Sequence, residues 1–225
     1  MSESKPVEVY YFTDMLCIWA YIAQIRIDEL KETFGEQVCV HHKFIPIFGS
    51  VDSKSKTTWL KNGGVKGYAE HVQEVASSFN HIQLHADVWH KNTPTSSVSC
   101  HLYLKAVQLL EAQGDLSMSS EDVIWAMREA FFKNIIDISR TEGQQQITES
   151  LGLSWTAIQA LICNGAAFAA LDEDMQLIES YRVKGSPTLV LNEGRQILYG
   201  NVGYKVMEAN VNELLNNSET QASWC

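Results

Sequence analysis

The run Val7-Glu8-Val9-Tyr10-Tyr11-Phe12-Thr13-Asp14-Met15-Leu16-Cys17-Ile18-Trp19-Ala20-Tyr21 changes character in its middle. Val7 to Phe12 is rich in β-branched and aromatic residues and predicts a strand. Thr13 to Cys17 breaks that pattern. From Ile18 to Phe34 the apolar residues Ile18, Ala20, Tyr21, Ile25 and Leu30 suit a helix, with Gly35 as its stop. Val38 to Ile45 predicts a second strand, ended by Pro46. Strand, helix and strand in such quick succession imply a parallel, right-handed crossover.

Beyond it the signal turns helical. Thr95 to Gln113 carries a helical pattern that Gly114 ends, and Ser119-Ser120-Glu121-Asp122 resembles a capping box before Val123 to Phe132. Gln144 to Leu151, Ser154 to Cys163 and Ala166 to Tyr181 predict three more helices. Strand character returns at Thr188 to Leu191, turns at Asn192-Glu193-Gly194-Arg195, and resumes from Gln196 to Tyr199, a hairpin. Tyr204 to Leu215 closes as an amphipathic helix, and a polar tail runs from Asn216 to Cys225. A βαβ unit and a ββα unit on one sheet make the minimal thioredoxin architecture. The expected fold is therefore α/β, with residues 1–61 and 183–225 forming a thioredoxin-like domain around an all-helical insertion at 62–182.

A chain of 225 residues with 45% hydrophobic and 20% charged residues reads as an ordinary folded protein. Its formal charge of -10 disfavours a nucleic-acid partner, because phosphate contact needs a basic face, and also disfavours docking on an anionic membrane. No apolar run approaches the ~20 residues of a membrane span, and no apolar leader precedes the first strand. The cysteines Cys17, Cys39, Cys100, Cys163 and Cys225 are odd in number and widely spaced. That spacing predicts free thiols and a cytoplasmic setting. Cys39, Cys100 and Cys163 are expected in core packing, and Cys225 is expected to be an exposed, incidental thiol.

Cys17 stands between the end of the first strand and the start of a helix, where an open sheet places its site. Helix N-termini offer unpaired N–H groups and a partial positive charge, which favour thiolate over thiol. Cysteine pKa values there fall from ~8.5 to ~3.5–7.5, so Cys17 is expected to be a nucleophile at neutral pH. The second feature is Gly185-Ser186-Pro187-Thr188. A proline entering a strand is tolerated at its first residue, and Ser186–Pro187 is a candidate cis bond. Its backbone would form a docking edge beside Cys17 for an extended peptide or thiol tripeptide.

Cys17-Ile18-Trp19-Ala20-Tyr21 after Tyr11-Phe12-Thr13-Asp14, with Val183-Lys184-Gly185-Ser186-Pro187-Thr188, resembles the active site and cis-proline loop of the cytoplasmic DsbA-like family. Asn92-Thr93 and Phe131-Phe132-Lys133-Asn134 echo it within the helical block. The resemblance implies a thioredoxin-fold thiol–disulfide oxidoreductase or isomerase with Cys17 as nucleophile. Kappa-class glutathione transferases and 2-hydroxychromene-2-carboxylate isomerases are sister families, which makes a homodimer an expectation by resemblance. The departures are specific. Ala20 stands where the family has its second cysteine, and Ile18 where it has proline. Gly200-Asn201-Val202-Gly203-Tyr204 lacks the Asp and Arg with which the sister families hold glutathione.

Trp19 reads either as a substrate-facing aromatic or as a cap on the helical block. Asp14 reads either as a group that tunes Cys17 or as a helix cap, and Tyr21 as core. His81 and His85 stand four apart with no convincing third ligand, and His41 and His42 alternate across a strand, so no metal is expected. Three functions fit these residues. One is a monothiol thiol–disulfide oxidoreductase or isomerase with Cys17 as nucleophile and Ser186, Pro187, Trp19 and Asp14 beside the substrate, with no bound cofactor and glutathione as co-substrate. Another is a glutathione-dependent transferase or isomerase. The third is a non-catalytic peptide-binding or chaperone-like module.

Overall fold

The computed structural model describes residues 5–216. β1 (Val7–Thr13) pairs parallel with β2 (Val38–Phe44) and antiparallel with β3 (Thr188–Leu191), which pairs antiparallel with β4 (Gln196–Tyr199). The sheet order is β2-β1-β3-β4, so β1 is flanked on both sides. Nine helices accompany these strands among the described residues. They are α1 (Ile18–Phe34), α2 (Val51–Lys56), α3 (Gly64–Ala76), α4 (Val98–Gln113), α5 (Ser120–Phe132), α6 (Thr141–Ser150), α7 (Trp155–Cys163), α8 (Ala166–Ser180) and α9 (Tyr204–Asn216). The expected βαβ and ββα units are both present, and α2 to α8 all lie between β2 and β3. Residues 217–225, including Cys225 and nearly all of the expected tail, lie outside the described residues.

Each face of the sheet is covered by residues that the strand period puts there. Val7, Val9 and Tyr11 of β1 and Leu189 and Leu191 of β3 pack with Ile27, Leu30 and Phe34 of α1 and Met207, Val211 and Leu214 of α9. Phe12 and Val190 turn to the other face, where Leu177 and Ile178 of α8 and Tyr181 just after it meet them. Each such side chain, fully buried, contributes about 1.5–3 kcal/mol. The largest cluster joins the start of α1 to the helical block, through Leu16, Cys17, Ile18 and Tyr21 against Trp89, Tyr103, Phe131 and Phe132. α1 ends where expected because Gly35 takes φ +52° while its N–H closes on the Lys31 carbonyl.

The sequence pattern predicts no element between Ile45 and residue 62, yet α2 forms there. Ser50 caps it by accepting from the Ser53 N–H at 3.2 Å, and Val51 N–H donates to the Thr95 carbonyl at 3.1 Å. That long-range bond, with Thr95 N–H on Ser139 Oγ at 3.2 Å, holds Thr95 outside α4, which begins at Val98 instead of Thr95. Ser119 caps α5 as the capping-box reading requires, accepting from the Asp122 N–H at 3.1 Å. Cys100 is buried, as expected. Cys39 and Cys163 are corrections: Cys39 is half-buried on edge strand β2, and Cys163, the last residue of α7, is exposed.

A buried ion pair ties β2 to the helical block. Asp174 of α8 is fully buried and accepts from Lys105 of α4 at 3.1 Å and from the Phe44 N–H at 2.9 Å, with Lys43 at 3.3 Å. Asp174→Asn leaves two lysines facing a neutral group, one of them buried, at a cost of about 3–5 kcal/mol. Equilibrium denaturation should show a lowered midpoint at unchanged slope. A loss below ~1 kcal/mol would show that the pair does not anchor this edge.

Candidate active site around Cys17

The chain leaves β1 at Thr13 and turns, with the Cys17 N–H donating to the Asp14 carbonyl at 3.1 Å. Cys17 is the N-cap of α1, in extended conformation, and its carbonyl accepts from the N–H groups of Ala20 and Tyr21 at 3.1 Å. No side chain caps the helix. Opposite lies the loop entering β3, where Ser186–Pro187 is cis. Thr188 Oγ1 donates to the Gly185 carbonyl at 2.8 Å, and Gly200 N–H to the Pro187 carbonyl at 2.8 Å, which holds the loop. Two bonds join the loops: Asp14 N–H to Ser186 Oγ at 2.8 Å, and Cys17 Sγ to the Ser186 carbonyl at 3.3 Å. Cys17, Ser186 and Pro187, 169 positions apart at their nearest, are thus brought together.

The sulfur differs from expectation in one respect: Cys17 is only 5% exposed. Burial pushes its thiol up, and the Asp14 carboxylate pushes the same way. The Ser186 side chain and the amides of Ala20 and Trp19 pull it down, and burial prevails. Burial therefore works against the expected low-pKa thiolate. The helix terminus acts as predicted, but a dry sulfur is a poor place for charge. Half-buried Tyr68 is close enough for charge on Cys17 or Asp14 to oppose its own ionisation, and its ring stacks on Trp59 at 4.1 Å. These two aromatics line one wall of a cavity of about 540 Å³ with Thr58, Gly67, His71 and Glu74.

Asp14 is fully buried and offers no surface to a substrate. It is not the cap of α1, a position that Cys17 holds. Its Oδ1 accepts from the Leu16 N–H at 2.9 Å, and its Oδ2 accepts from the Phe48 N–H at 2.9 Å and Ser97 Oγ at 2.7 Å. Burial pushes its pKa up to about 6 despite these three donors. His101 completes this shell, with Nε2 accepting from the Met15 N–H at 3.3 Å and lying 3.8 Å from Asp14 Oδ1. Phe48, from the loop after β2, and Ser97 and His101, from the helical block, lie 34 to 87 positions away, with no local signal that could have found them. Trp19 is half-buried and meets Phe79 edge-on at 6.2 Å, so it packs on the helical block while keeping part of its ring exposed. Tyr21 is core, stacked on Phe132 at 4.8 Å.

Beneath the site Arg128 of α5 is fully buried, bonded to Thr13 Oγ1 and Gln24 Oε1, both at 2.6 Å. No acid pairs with it among the described residues. Buried His42 and His101 feel this charge. Burial first, then Arg128, depresses each to about 3, so both are neutral. His81 and His85 are engaged with the Ile22 carbonyl and the Asp87 N–H.

A cysteine at the start of a helix after a parallel β1, facing a cis-proline loop before an antiparallel hairpin, defines a thioredoxin fold, here with a helical insertion. The chain belongs to the DSBA-like thioredoxin domain family, whose model matches residues 8–212. Among solved structures, a candidate protein disulfide isomerase from Nitrosomonas europaea is similar over 95% of this chain and 100% of its own, with TM-score 0.73 and 13% identity. The cytosolic disulfide reductase DsbM from Pseudomonas aeruginosa, solved with GSH, is similar over 93% of this chain and 99% of its own, with TM-score 0.68 and 17% identity. A 2-hydroxychromene-2-carboxylate isomerase is similar over 93% and 96%, with TM-score 0.63 and 17% identity. At such identities the likeness is one of fold. Comparison with curated proteins finds no match.

Proposed function

We propose that this protein is a monothiol disulfide oxidoreductase or isomerase in which Cys17 is the only catalytic sulfur and glutathione is the co-substrate. The observation that carries the reading is Cys17 Sγ at the N-terminus of α1, 3.3 Å from the Ser186 carbonyl of the cis-proline loop. With the sulfur buried, the thiol keeps its proton, directed at that carbonyl. Admitting a substrate rehydrates the sulfur and removes the burial penalty. The Ser186 side chain and the Trp19 and Ala20 amides then favour the thiolate.

Cys17 thiolate attacks one sulfur of a disulfide. A Cys17–substrate S–S bond forms as the old S–S bond breaks, and the departing thiolate takes up a proton. Ala20, buried where the family has its second cysteine, cannot resolve this adduct. A glutathione thiolate does so by attacking the substrate sulfur, which frees Cys17 and leaves a substrate–glutathione disulfide. Ser186 and Pro187 supply the docking edge, Trp19 flanks it, and Asp14 acts from beneath by positioning the loop. Free Cys17, Cys39, Cys100 and Cys163 support a reducing, cytoplasmic setting.

The transferase reading lacks a carboxylate for the glutathione amine, because the Gly200–Tyr204 stretch has none and Asn201 is bonded to Arg26. Burial of the sulfur favours a binding module instead, and one experiment separates the two. Exposed to glutathione disulfide and digested, the protein should carry one glutathionyl group on Cys17 that added glutathione removes. Modification of exposed Cys163 with Cys17 untouched would sink the exchange reading.

A further inference from the structure

The opposite end of the sheet carries a second chemical cluster. Glu8 lies directly across from Cys39 in the parallel β1–β2 register. Cys39 and His41 are two apart on β2 and so share a face. One donor atom from each of Glu8, Cys39 and His41 lies within 4.8 Å of the others. His41 Nε2 and Glu8 Oε2 are already 2.5 Å apart. Glu8 is exposed and the other two are half-buried, so an ion can enter from solvent without unfolding anything.

We infer that Glu8, Cys39 and His41 form a binding site for a zinc-class divalent cation, distinct from the Cys17 centre. The donor set decides the class: sulfur, imidazole nitrogen and carboxylate oxygen together suit zinc, whereas calcium and magnesium require oxygen ligands. Zinc bonds of ~2.0–2.3 Å place tetrahedral ligand atoms roughly 3.4–3.7 Å apart. The 2.5 Å between His41 Nε2 and Glu8 Oε2 is shorter than that range, so an ion would require these two side chains to part by about an ångström. Charge agrees as well, since a thiolate and a carboxylate neutralise a dication. Three protein ligands leave a fourth position open. The five residue-to-residue steps of strand from Glu8 to Thr13 put roughly 17 Å between this cluster and the loop that leads to Cys17.

Cobalt(II) is the probe, titrated into the metal-stripped full-length protein. Expected is thiolate-to-cobalt charge-transfer absorption that saturates at one ion per chain and is displaced by zinc. Cys39→Ser and His41→Ala each abolish it, and Glu8→Gln raises the dissociation constant at least about tenfold. Cys17→Ser leaves the titration unchanged. In the unsubstituted protein, zinc slows alkylation of Cys39 and not of Cys163, which covers the case of a variant that folds poorly. Absorption that survives Cys39→Ser, or that vanishes with Cys17→Ser, overturns the assignment, as does unprotected Cys39.

Discussion

If Cys17 acts as proposed, Cys17→Ser should lower disulfide-exchange turnover by at least ~10³-fold while leaving the fold as stable as before or slightly more so. Sulfur exchange requires a nucleophile that ionises and also leaves, and a serine hydroxyl does neither near neutral pH. The substitution is otherwise mild. Oxygen is smaller than sulfur, so the site is not overfilled, and the hydroxyl can still donate to the Ser186 carbonyl. Serine is moreover a preferred N-cap, and α1 has no side-chain cap at present. Loss of turnover with an unchanged denaturation midpoint therefore assigns the effect to chemistry. The assay is glutathione-dependent reduction of a small disulfide, run beside denaturation of both proteins. Retained turnover in the serine variant would point to a serine-type transferase. Absence of turnover in both proteins would leave the binding module.

Acidification from pH 7 to pH 4 should cost roughly 4 kcal/mol of stability, a large share of what a domain of this size possesses. The sign follows from three buried groups. His42 and His101 are held near 3 in the folded protein and return to about 6.5 when unfolded. Below pH 6.5 the unfolded chain therefore takes up protons that the folded one refuses, and stability falls as pH drops. The two histidines together account for a loss of roughly 6 kcal/mol by pH 4. Asp14 acts oppositely. Its folded value of about 6 lies above the unfolded ~3.9, so it regains roughly 2 kcal/mol as pH falls through the same window. Denaturant titrations at pH 7, 5 and 4 measure the balance. His101→Gln keeps an acceptor for the Met15 N–H and should reduce the acid loss by about 3 kcal/mol. An unaltered pH slope in that variant would place the acid sensitivity elsewhere.

Much of the fold was legible because its signals are local. Strand composition at Val7 to Phe12 and the Asn192-Glu193-Gly194-Arg195 turn depend on near neighbours, as does the stop at Gly35. The elements built on them appear within about a residue of the expected bounds. α2 and the start of α4 were misread because a long-range pairing, Val51 to Thr95, decides both. For the site, Cys17 and Pro187 were readable because each occupies a position that fold rules single out. The shell around Asp14 was not, since Phe48, Ser97 and His101 reach it only after the helical block has packed.

Sequence alone determined where the backbone would place the candidate groups: a thiol ahead of a helix, a proline entering a strand, and an alanine where a second thiol could have stood. Only the tertiary structure decided the state of those atoms. Burial opposes the expected thiolate and, with Arg128 nearby, depresses two histidines. Strand pairing gathered Glu8, Cys39 and His41 from 33 positions of chain. The physical reason is common to all three cases. Ionisation energy and ligand geometry depend on what surrounds an atom in space, and most of those neighbours are distant in sequence.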